Sequence, residues 1–309
     1  MVATPLSIPP AAAIPAWRRR LDGAAIFYVF ALPFAALTII MGLWPIALSV
    51  QTSFTESFTA LRPDPTFVGF ENYREIFADP QFIRSIRLTL TYTVLSVVLN
   101  LSVALAYALF LNSPVLGRAA LIFKLCVFLP VITPDLAGYI VWKWMYNTDF
   151  GAINAALHSL GLPDFTGTSS PRTAMASLLI AELWYHVGFY VIIFLANLAM
   201  IDRSLIEAAR MDATPPWRMF TRIILPQLRP AIMINSVYAL IQFLKTFTVV
   251  VVITKGGPAG STNFVSYYAY QMFDQAQYGK AAAMASPRCS GVMVLAFFIY
   301  WLNQRADWR

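Results

Sequence analysis

Six long apolar runs constrain the fold of this 309-residue chain more than any other feature. Each run is long enough, at about 1.5 Å per helical residue, to cross a hydrocarbon core roughly 30 Å thick. Because backbone groups inside lipid must find hydrogen bonds within their own segment, the runs are predicted to be helices. The expected fold is an all-α membrane protein with six transmembrane helices, at about 24–50, 88–111, 119–145, 174–200, 231–254 and 280–302.

The composition supports a membrane protein and leaves two interpretations of the net charge. Charged residues make up only 12% of the chain, whereas a soluble domain carries roughly 25%. The net charge of +7 fits either a nucleic-acid surface or the cytoplasmic excess of Lys and Arg in membrane proteins. No dense basic run with interleaved aromatic residues occurs, so no nucleic-acid partner is expected.

The N-terminus divides into a tail and a first span. Residues 1–17 are rich in Ala and Pro and are predicted to be a disordered cytoplasmic tail. Three arginines at 18–20 precede the first apolar run, as they do in a signal peptide. The run continues for about 27 residues without a clear small-residue cleavage site, so it is interpreted as a retained span. Residues 18–309 are predicted to form one transmembrane domain.

The positions of Lys and Arg predict the orientation in the membrane. With the N-terminus inside, the inner segments hold twelve of these residues: Arg18, Arg19, Arg20, Arg118, Lys124, Arg203, Arg210, Arg218, Arg222, Arg229, Arg305 and Arg309. The outer segments hold seven over longer loops: Arg62, Arg74, Arg84, Arg87, Arg172, Lys255 and Lys280. The bias predicts a multi-pass protein of a prokaryotic inner membrane, with both termini and residues 201–230 in the cytoplasm.

A charged, proline-containing segment at 201–230 separates the fourth and fifth runs. Ser204 and Glu207 have the spacing of a capping box, which predicts a short helix through about Met211. Thr214 is then predicted to cap a second helix, whose first turn contains two prolines. The segment therefore reads as two short helices outside the hydrocarbon core.

The second short helix would have an apolar face and a basic face. Trp217, Phe220 and Ile224 recur at helical spacing, a pair of arginines lies on another side, and Pro226 is predicted to end the helix. Periodicity alone fits an amphipathic helix at the lipid surface as well as a helix that binds a partner protein.

The order of residues 207–230, EAARMDATPPWRMFTRIILPQLRP, resembles the cytoplasmic motif of ATP-binding cassette (ABC) importer permeases. In that family Glu-Ala-Ala is followed after three residues by Gly and further on by Leu-Pro. Ala213 stands where the family usually has Gly, so the turn is expected to be strained by about 1 kcal/mol or altered in shape. The matching positions are Glu207, Ala208, Ala209, Asp212, Trp217, Phe220, Leu225 and Pro226.

Two further stretches are similar to the same family. TKGGP at 254–258 is similar to a turn of the carbohydrate branch, the maltose and glycerol-phosphate importer type. By itself this motif would indicate only a Gly-Pro turn after a helix. FVGFENYREIF at 67–77 looks like the first periplasmic loop of the family. The resemblance spans about 24–302.

The resemblance implies a mechanical role for residues 201–230, the coupling loop. In such importers the short cytoplasmic helix sits in a cleft of an ATPase subunit and passes ATP-driven closure to the membrane helices. The hinge would comprise Glu207, Ala208, Ala209, Asp212 and Ala213, with Trp217 and Phe220 anchored in the partner and Arg218 and Arg222 paired with its acidic rim.

The resemblance also implies the partners of the chain. They are a second, related permease, two ATP-binding subunits, an extracytoplasmic solute-binding protein, a sugar and membrane lipid. The chain has no G-x-x-x-x-G-K-[ST] loop, so it is expected to hold no cofactor, and ATP and Mg²⁺ would bind to the partner subunits. No catalytic or metal-binding residues are expected.

Polar and aromatic residues inside the spans are candidates for the substrate path, because ionisable groups at membrane depth are costly. Aromatic rings beside hydroxyl and amide groups suit a sugar, although packing and pairing between helices, or snorkelling to the interface, explain the same residues. The candidates are Tyr139, Lys143, Trp144, Glu182, Tyr185, Tyr190, Asn197, Asn235, Tyr238, Gln242 and Lys245. Asp135, His186, Thr246 and Thr248 are further polar residues of the same spans.

Prolines and one arginine modify the predicted spans. Pro130 and Pro134 are expected to kink the third span, as in helices that line cavities and also in ordinary bundles. Pro287 and Arg288 fall within the sixth span, where an arginine either faces a cavity or indicates that the helix starts later.

Other functions fit the sequence less well. A membrane enzyme would need a motif such as H-E-x-x-H or G-x-S-x-G, and neither is present. An ion-coupled carrier would be expected to have an internal repeat, and none is visible. The charge of the solute stays open, since a di- or oligosaccharide or polyol, glycerol phosphate or an acidic sugar all fit. Lys143, Lys245 and Arg288 would favour an anion if they line the path.

Overall fold

The computed structural model describes residues 16–56 and 66–286, and along the chain it divides into two compact units after Gln51. The described residues are helical, apart from turns, irregular segments and an isolated bridge between Thr55 and Phe67. Most of the predicted tail and most of the sixth span, with Pro287 and Arg288, lie outside these residues. The all-α fold class is confirmed for the part of the chain that the structure describes.

The first unit is one long apolar helical segment. It comprises α1 (Ala16–Leu37), a π-helical stretch (Thr38–Leu43) and α2 (Trp44–Ser53), which ends just past the boundary between the units. Residues Phe27–Ser53 are long and apolar enough to cross a membrane. The large apolar side chains from Phe27 to Val50 are exposed, as expected for a helix that lipid or another membrane helix covers.

The second unit contains eleven numbered helices within its described residues. The longest are α4 (Pro80–Leu111) and α8 (Ala174–Ala199), and both are long and apolar enough to span a membrane. The others are α3 (Glu71–Ala78), α5 (Ala119–Ile132), α6 (Asp135–Met145), α7 (Ala152–Ser159), α9 (Arg203–Met211), α10 (Pro216–Met219), α11 (Leu225–Gln227), α12 (Arg229–Leu244) and α13 (Val265–Asp274).

The second predicted span begins eight residues too late. α4 starts at Pro80, because the Asp79 carboxylate accepts a hydrogen bond of 2.9 Å from the backbone N–H of Gln81, and proline is favourable in a first helical turn. Arg84 and Arg87 are therefore helical rather than part of a loop.

Two of the predicted spans are broken rather than continuous. The 119–145 run forms α5 and α6, which bend by 103° at Thr133 and Pro134. The 231–254 run leaves the helix at 245–247 and continues as a π-helical stretch, Val250–Thr254. Among its described residues the structure has three span-length helices, or five if two bent pairs each cross the membrane once: α5 with α6, and the Pro216–Gln227 segment with α12. The count of six stays a prediction.

The core of the second unit lies where α4, α8 and α12 pack together. Small residues such as Ala104, Ala181 and Ala239 are fully buried there, so the helices approach closely. The Tyr92 ring packs against Phe264, with centroids 4.6 Å apart. This packing holds fixed the helices that surround the cavity described next.

Candidate functional site

A cavity of about 510 Å³ opens where the two broken helical segments face α8. Pockets that hold small ligands typically measure about 300–1,000 Å³. Its lining comes from the α5–α6 bend, from α8 and from the break after α12: Val131, Asp135, Tyr139, Glu182, Tyr185, His186, Phe189, Tyr238, Gln242, Lys245, Thr246, Phe247, Thr248 and Val249. We call it the central cavity.

The α5–α6 bend follows from proline chemistry and one hydrogen bond. Thr133 has extended backbone angles (φ −79°, ψ 137°), which is the conformation that a following proline favours. Its carbonyl group accepts a hydrogen bond of 2.6 Å from the Tyr185 hydroxyl of α8. The Tyr185 side chain therefore supplies a hydrogen-bond donor for the Thr133 carbonyl, which has left the helical hydrogen-bond pattern at the break.

Four charged or ionisable groups stand at defined places in the cavity wall. The Glu182 carboxylate is 3% exposed, and its Oε2 atom lies 2.9 Å from Nε2 of His186, one turn later on α8. Asp135 is the first residue of α6, and its carboxylate accepts a hydrogen bond of 2.7 Å from the N–H of Leu136. Lys245 follows the last residue of α12.

Aromatic rings supply much of the remaining wall. The Phe189 and Tyr238 rings stack with centroids 4.4 Å apart and planes 30° apart. The Tyr139 and Tyr185 rings lie 5.6 Å apart. Such rings offer flat apolar faces beside hydroxyl and amide groups, which is a chemistry that fits the C–H face and hydroxyl groups of a sugar.

The structure brings six of the eleven candidate path residues together and leaves five elsewhere. Tyr139, Glu182, Tyr185, Tyr238, Gln242 and Lys245 line the central cavity. Lys143 and Trp144 are exposed at the end of α6 and do not line it. Tyr190 and Asn235 meet in a contact between α8 and α12, where Asn235 donates to the carbonyl of Tyr190 (3.3 Å). Asn197 donates within α8, to the carbonyl of Ile193 (2.9 Å).

Eight lining residues were not among the candidates. Asp135, His186, Thr246 and Thr248 are polar residues of the same spans. The helical spacing of Asp135 from Tyr139 and of His186 from Glu182 could have added the first two. The other four are apolar: Val131, Phe189, Phe247 and Val249. For an apolar residue within an apolar run, the sequence does not indicate whether the side chain lines a cavity or packs in the core.

The coupling loop begins with α9, whose cap differs from the prediction. Asp202, not Ser204, caps the helix, because its carboxylate accepts a hydrogen bond of 2.9 Å from the N–H of Ser204. Hydrogen bonds from the Ser204 backbone and side chain hold the pKa of Asp202 below its ordinary value. The lowered pKa keeps the cap charged further into the acid range than an ordinary aspartate. The expected capping box at Ser204 and Glu207 is therefore wrong, and Glu207 is exposed.

The second part of the loop is longer than predicted. Pro215 has no side-chain cap, α10 follows at Pro216–Met219, and a π-helical stretch (Phe220–Ile224) leads into α11. The prediction that Thr214 caps this helix is wrong, since Pro215 occupies the cap position. The prediction that Pro226 ends it is also wrong, since Pro226 lies in α11. The chain bends by 66° before α12.

An exposed tryptophan marks the surface of this segment. The Trp217 side chain is 71% exposed, and its ring packs 5.9 Å from that of Phe220. Arg218 and Arg222 are exposed beside it, as is Glu207. An exposed tryptophan with flanking arginines has the composition of a protein-binding hot spot.

The turn after α9 is strained, which is one of the two outcomes expected from Ala213 at a position where the family usually has glycine. Ala213 has a positive φ of 51°. The N–H of Thr214 donates to the carbonyl of Ala209 and the N–H of Ala213 to that of Arg210, each at 3.0 Å. This pair of hydrogen bonds is the Schellman pattern, in which the position of Ala213 is usually glycine.

Replacing Ala213 with Gly is expected to stabilise the chain by about 1 kcal/mol, because glycine adopts this left-handed conformation without the clash of a Cβ atom. The thermal unfolding midpoint of the purified protein measures the change. Ala208→Gly is the matched control: Ala208 is inside α9, so glycine there should lower the midpoint. An unchanged or lowered midpoint for Ala213→Gly would contradict the strain at this turn.

The TKGGP turn is held by side-chain hydrogen bonds. Thr262 Oγ1 lies 2.8 Å from Oγ1 of Thr254 and donates to the carbonyl of Gly257, also at 2.8 Å. Gly256 has a φ of 77°, and a Cβ atom there would lie 2.8 Å from the Tyr267 ring. Glycine is therefore required at Gly256 both for conformation and for space.

Comparison with known proteins identifies the family. Residues 116–308 match the model of the family described as "Binding-protein-dependent transport system inner membrane component". This match covers more than half of the chain, so the protein belongs to that family. It is a membrane transport component, as the resemblance at 207–230 implied.

Two relatives and one solved structure illustrate the likeness. The chain is 29% identical over 280 residues to the trehalose/maltose transport system permease protein of Thermococcus litoralis, covering 91% of this chain and 93% of the relative. It is 32% identical to the sulfoquinovosyl glycerol transport system permease protein of Agrobacterium fabrum, covering 88% and 89%. The fold matches a chain of a bacterial ABC transporter involved in the import of the acidic polysaccharide alginate (TM-score 0.82, 23% identity, 94% and 99% covered).

Proposed function

We propose that the chain is a permease subunit of an ATP-driven, binding-protein-dependent importer and forms half of the translocation path for a sugar. The solute is a di- or oligosaccharide or a polyol. The family match and the names of the sugar-transport relatives support this proposal. So does a cavity that combines stacked aromatic rings with hydroxyl, amide and carboxylate groups.

The coupling loop is proposed to face the cytoplasm and to bind an ATP-hydrolysing subunit. Its exposed Trp217, in one segment with the exposed Arg218 and Arg222, is the observation that carries this part of the proposal. The importer would contain a second, related permease, two ATP-binding subunits and an extracytoplasmic solute-binding protein. ATP and Mg²⁺ would bind to the partner subunits, and both termini of this chain would be cytoplasmic.

The central cavity is proposed to be this chain's part of the substrate path. Broken helices place backbone ends and side chains together inside a membrane bundle, which is where transporters commonly bind their solutes. Here the α5–α6 bend and the break after α12 both contribute to one cavity wall. Tyr139, Tyr185 and Tyr238 would contact the sugar, together with Gln242.

A charge reversal on the coupling loop tests the proposed function. Glu207→Lys is expected to leave membrane insertion intact and to lower ATP-dependent sugar uptake by about tenfold or more, because it replaces an exposed carboxylate of the proposed ATPase-binding surface with an ammonium group, and a reversed charge at a complementary interface repels the cationic group that paired with the carboxylate. Uptake is measured in proteoliposomes that contain both permeases, the ATP-binding subunits and the solute-binding protein.

Two further variants serve as controls for this uptake measurement. Glu207→Gln removes the charge without reversing it and should retain more uptake than Glu207→Lys. Asp149→Lys makes the same reversal at an exposed residue outside the coupling loop and should behave as the native protein. Full uptake with Glu207→Lys would remove the coupling role of this surface.

A further inference from the structure

We infer that the central cavity selects an uncharged polyhydroxyl solute and that Asp135 is the residue that excludes anions from it. This inference rests on the proposed function and specifies its substrate class. The family leaves the question open, since its members include a trehalose/maltose permease and the solved relative serves an acidic polysaccharide. The charges in the cavity wall carry the inference.

The first step concerns the start of α6. The N-terminus of a helix carries free N–H groups and a partial positive charge, so it attracts anions. α6 has 11 residues and starts at the cavity wall with Asp135. The carboxylate of Asp135 already accepts the N–H of Leu136 at 2.7 Å. A phosphate or carboxylate of a solute would find the most favourable helix end of this wall occupied by a fixed negative charge.

The second step concerns Lys245, the cation among the described lining residues. Lys245 follows the last residue of α12, where the carbonyl groups of the helix end carry a partial negative charge. The helix end therefore compensates part of the ammonium charge. Lys143, which the sequence offered as a second cation, is exposed at the far end of α6 and does not line the cavity.

The third step concerns the pair on α8. Glu182 is almost completely buried, and its carboxylate lies 2.9 Å from the His186 imidazole. With a protonated imidazole the pair is neutral, and with a neutral imidazole it adds a negative charge. Together with Asp135 and Lys245, the described lining residues sum to zero or to a negative charge in both cases. An anion loses its hydration when it enters the cavity, and the described lining residues offer no net positive charge to compensate that loss.

The same wall suits an uncharged sugar. Carboxylates accept hydrogen bonds strongly, and the hydroxyl groups of a sugar are donors that Glu182 and Asp135 can receive without a charge conflict. The stacked Phe189 and Tyr238 rings, 4.4 Å apart, supply a flat apolar surface. Gln242 adds an amide that both donates and accepts.

Direct solute binding to the assembled permease tests the inference. The importer, purified with its second permease and ATP-binding subunits, is placed in lipid nanodiscs without the solute-binding protein, whose own selectivity would mask that of the cavity. Saturation-transfer NMR then compares a neutral disaccharide (maltose) with glycerol 3-phosphate and an unsaturated hexuronate disaccharide. The native complex is expected to bind maltose and to bind each anion at least about tenfold more weakly.

Variants at the helix start make the test specific. Asp135→Asn is expected to raise the affinity for both anions about tenfold, since it removes the fixed negative charge from the start of α6 while keeping the size of the side chain. Glu182→Gln should give a smaller gain, because this carboxylate is paired with His186. Asp149→Asn removes the same charge at an exposed residue outside the cavity lining and should leave all three affinities unchanged.

The outcomes separate this inference from the proposed function. Native complex that binds the anions as well as maltose overturns the inference, and this measurement needs no variant. So does an Asp135→Asn complex that is monodisperse and binds maltose yet gains no anion affinity. If ATP-dependent uptake persists, either result leaves the proposed importer function unchanged. Conversely, failure of the coupling loop to bind the ATP-hydrolysing subunits would contradict the proposed function without changing the ratio of maltose affinity to anion affinity.

Discussion

Truncating Trp217 to alanine is expected to weaken the binding of the ATP-hydrolysing subunits by about 30-fold or more. Exposed aromatic anchors at the centre of an interface typically contribute about 2 kcal/mol or more when truncated, which corresponds to a factor of about 30 in affinity. Trp217 is 71% exposed in the isolated chain and packs on one side only against Phe220. Most of its ring is thus available to a partner. Its removal should affect the stability of the isolated chain little, because the ring makes few contacts within the chain.

The affinity is measured between detergent-solubilised permease complex and purified ATP-binding subunits, by surface-immobilised binding at fixed salt concentration. Trp144→Ala is the matched control, because that ring is 55% exposed at the end of α6, outside the coupling loop. The control should retain native affinity. Equal losses for the two variants would show that tryptophan truncation acts through the lipid-facing surface or general stability, and a native affinity for Trp217→Ala would locate the ATPase contact elsewhere.

The sequence predicts where membrane helices occur better than it predicts how they bend. The fourth span matched α8 to within a residue, because a long apolar run without proline leaves a helix as the only backbone solution in lipid. The third run contains two prolines. Pro130 lies inside α5, whereas Pro134 follows the extended Thr133 and a sharp bend. Local sequence does not distinguish them, because the Tyr185 hydroxyl from another helix satisfies the carbonyl of Thr133.

Short-range signals in the coupling loop had mixed success for a similar reason. Asp202 and Ser204 are both good N-cap residues two positions apart, and only the backbone angles of Asp202 (φ −61°, ψ 123°) decide between them. The strained form of the turn at Ala213 was one of two expected outcomes, and the positive φ bears it out. Predicting a strained turn was possible because the C-cap pattern demands a left-handed residue regardless of the side chain.

The cavity could be predicted only in part, because its wall depends on contacts between distant segments. Tyr238 and Gln242 are one turn apart on α12 and both line the cavity, as their spacing suggested. Tyr139 and Lys143 have the same spacing, but α6 ends soon after, and Lys143 lies beyond the wall. Helical spacing places two residues on one face and does not show how far along that face the cavity extends.

Replacing Gly188 with alanine is expected to destabilise the protein by about 1–3 kcal/mol, the range for overpacking a close contact. A Cβ atom at Gly188 would lie 2.3 Å from the carbonyl oxygen of Val127 and 2.8 Å from Cγ2 of Val131. Since the nearer atom belongs to the backbone of α5, rotation of a side chain cannot relieve the clash. α5 and α8 would have to separate, which would also disturb Val131 in the cavity wall. The thermal unfolding midpoint and the monodisperse fraction after purification measure the effect.

Two further variants distinguish this clash from a general intolerance of alanine. Gly42→Ala introduces the same methyl group where no atom lies within 4 Å, and the better helix propensity of alanine should leave the midpoint unchanged or slightly raised. Val131→Ala, combined with Gly188→Ala, removes the Cγ2 contact but leaves the carbonyl contact, so it should restore only part of the lost stability. A native midpoint for Gly188→Ala alone would mean that α5 and α8 do not pack at this distance, and with it the α5 side of the cavity wall would have to be redrawn.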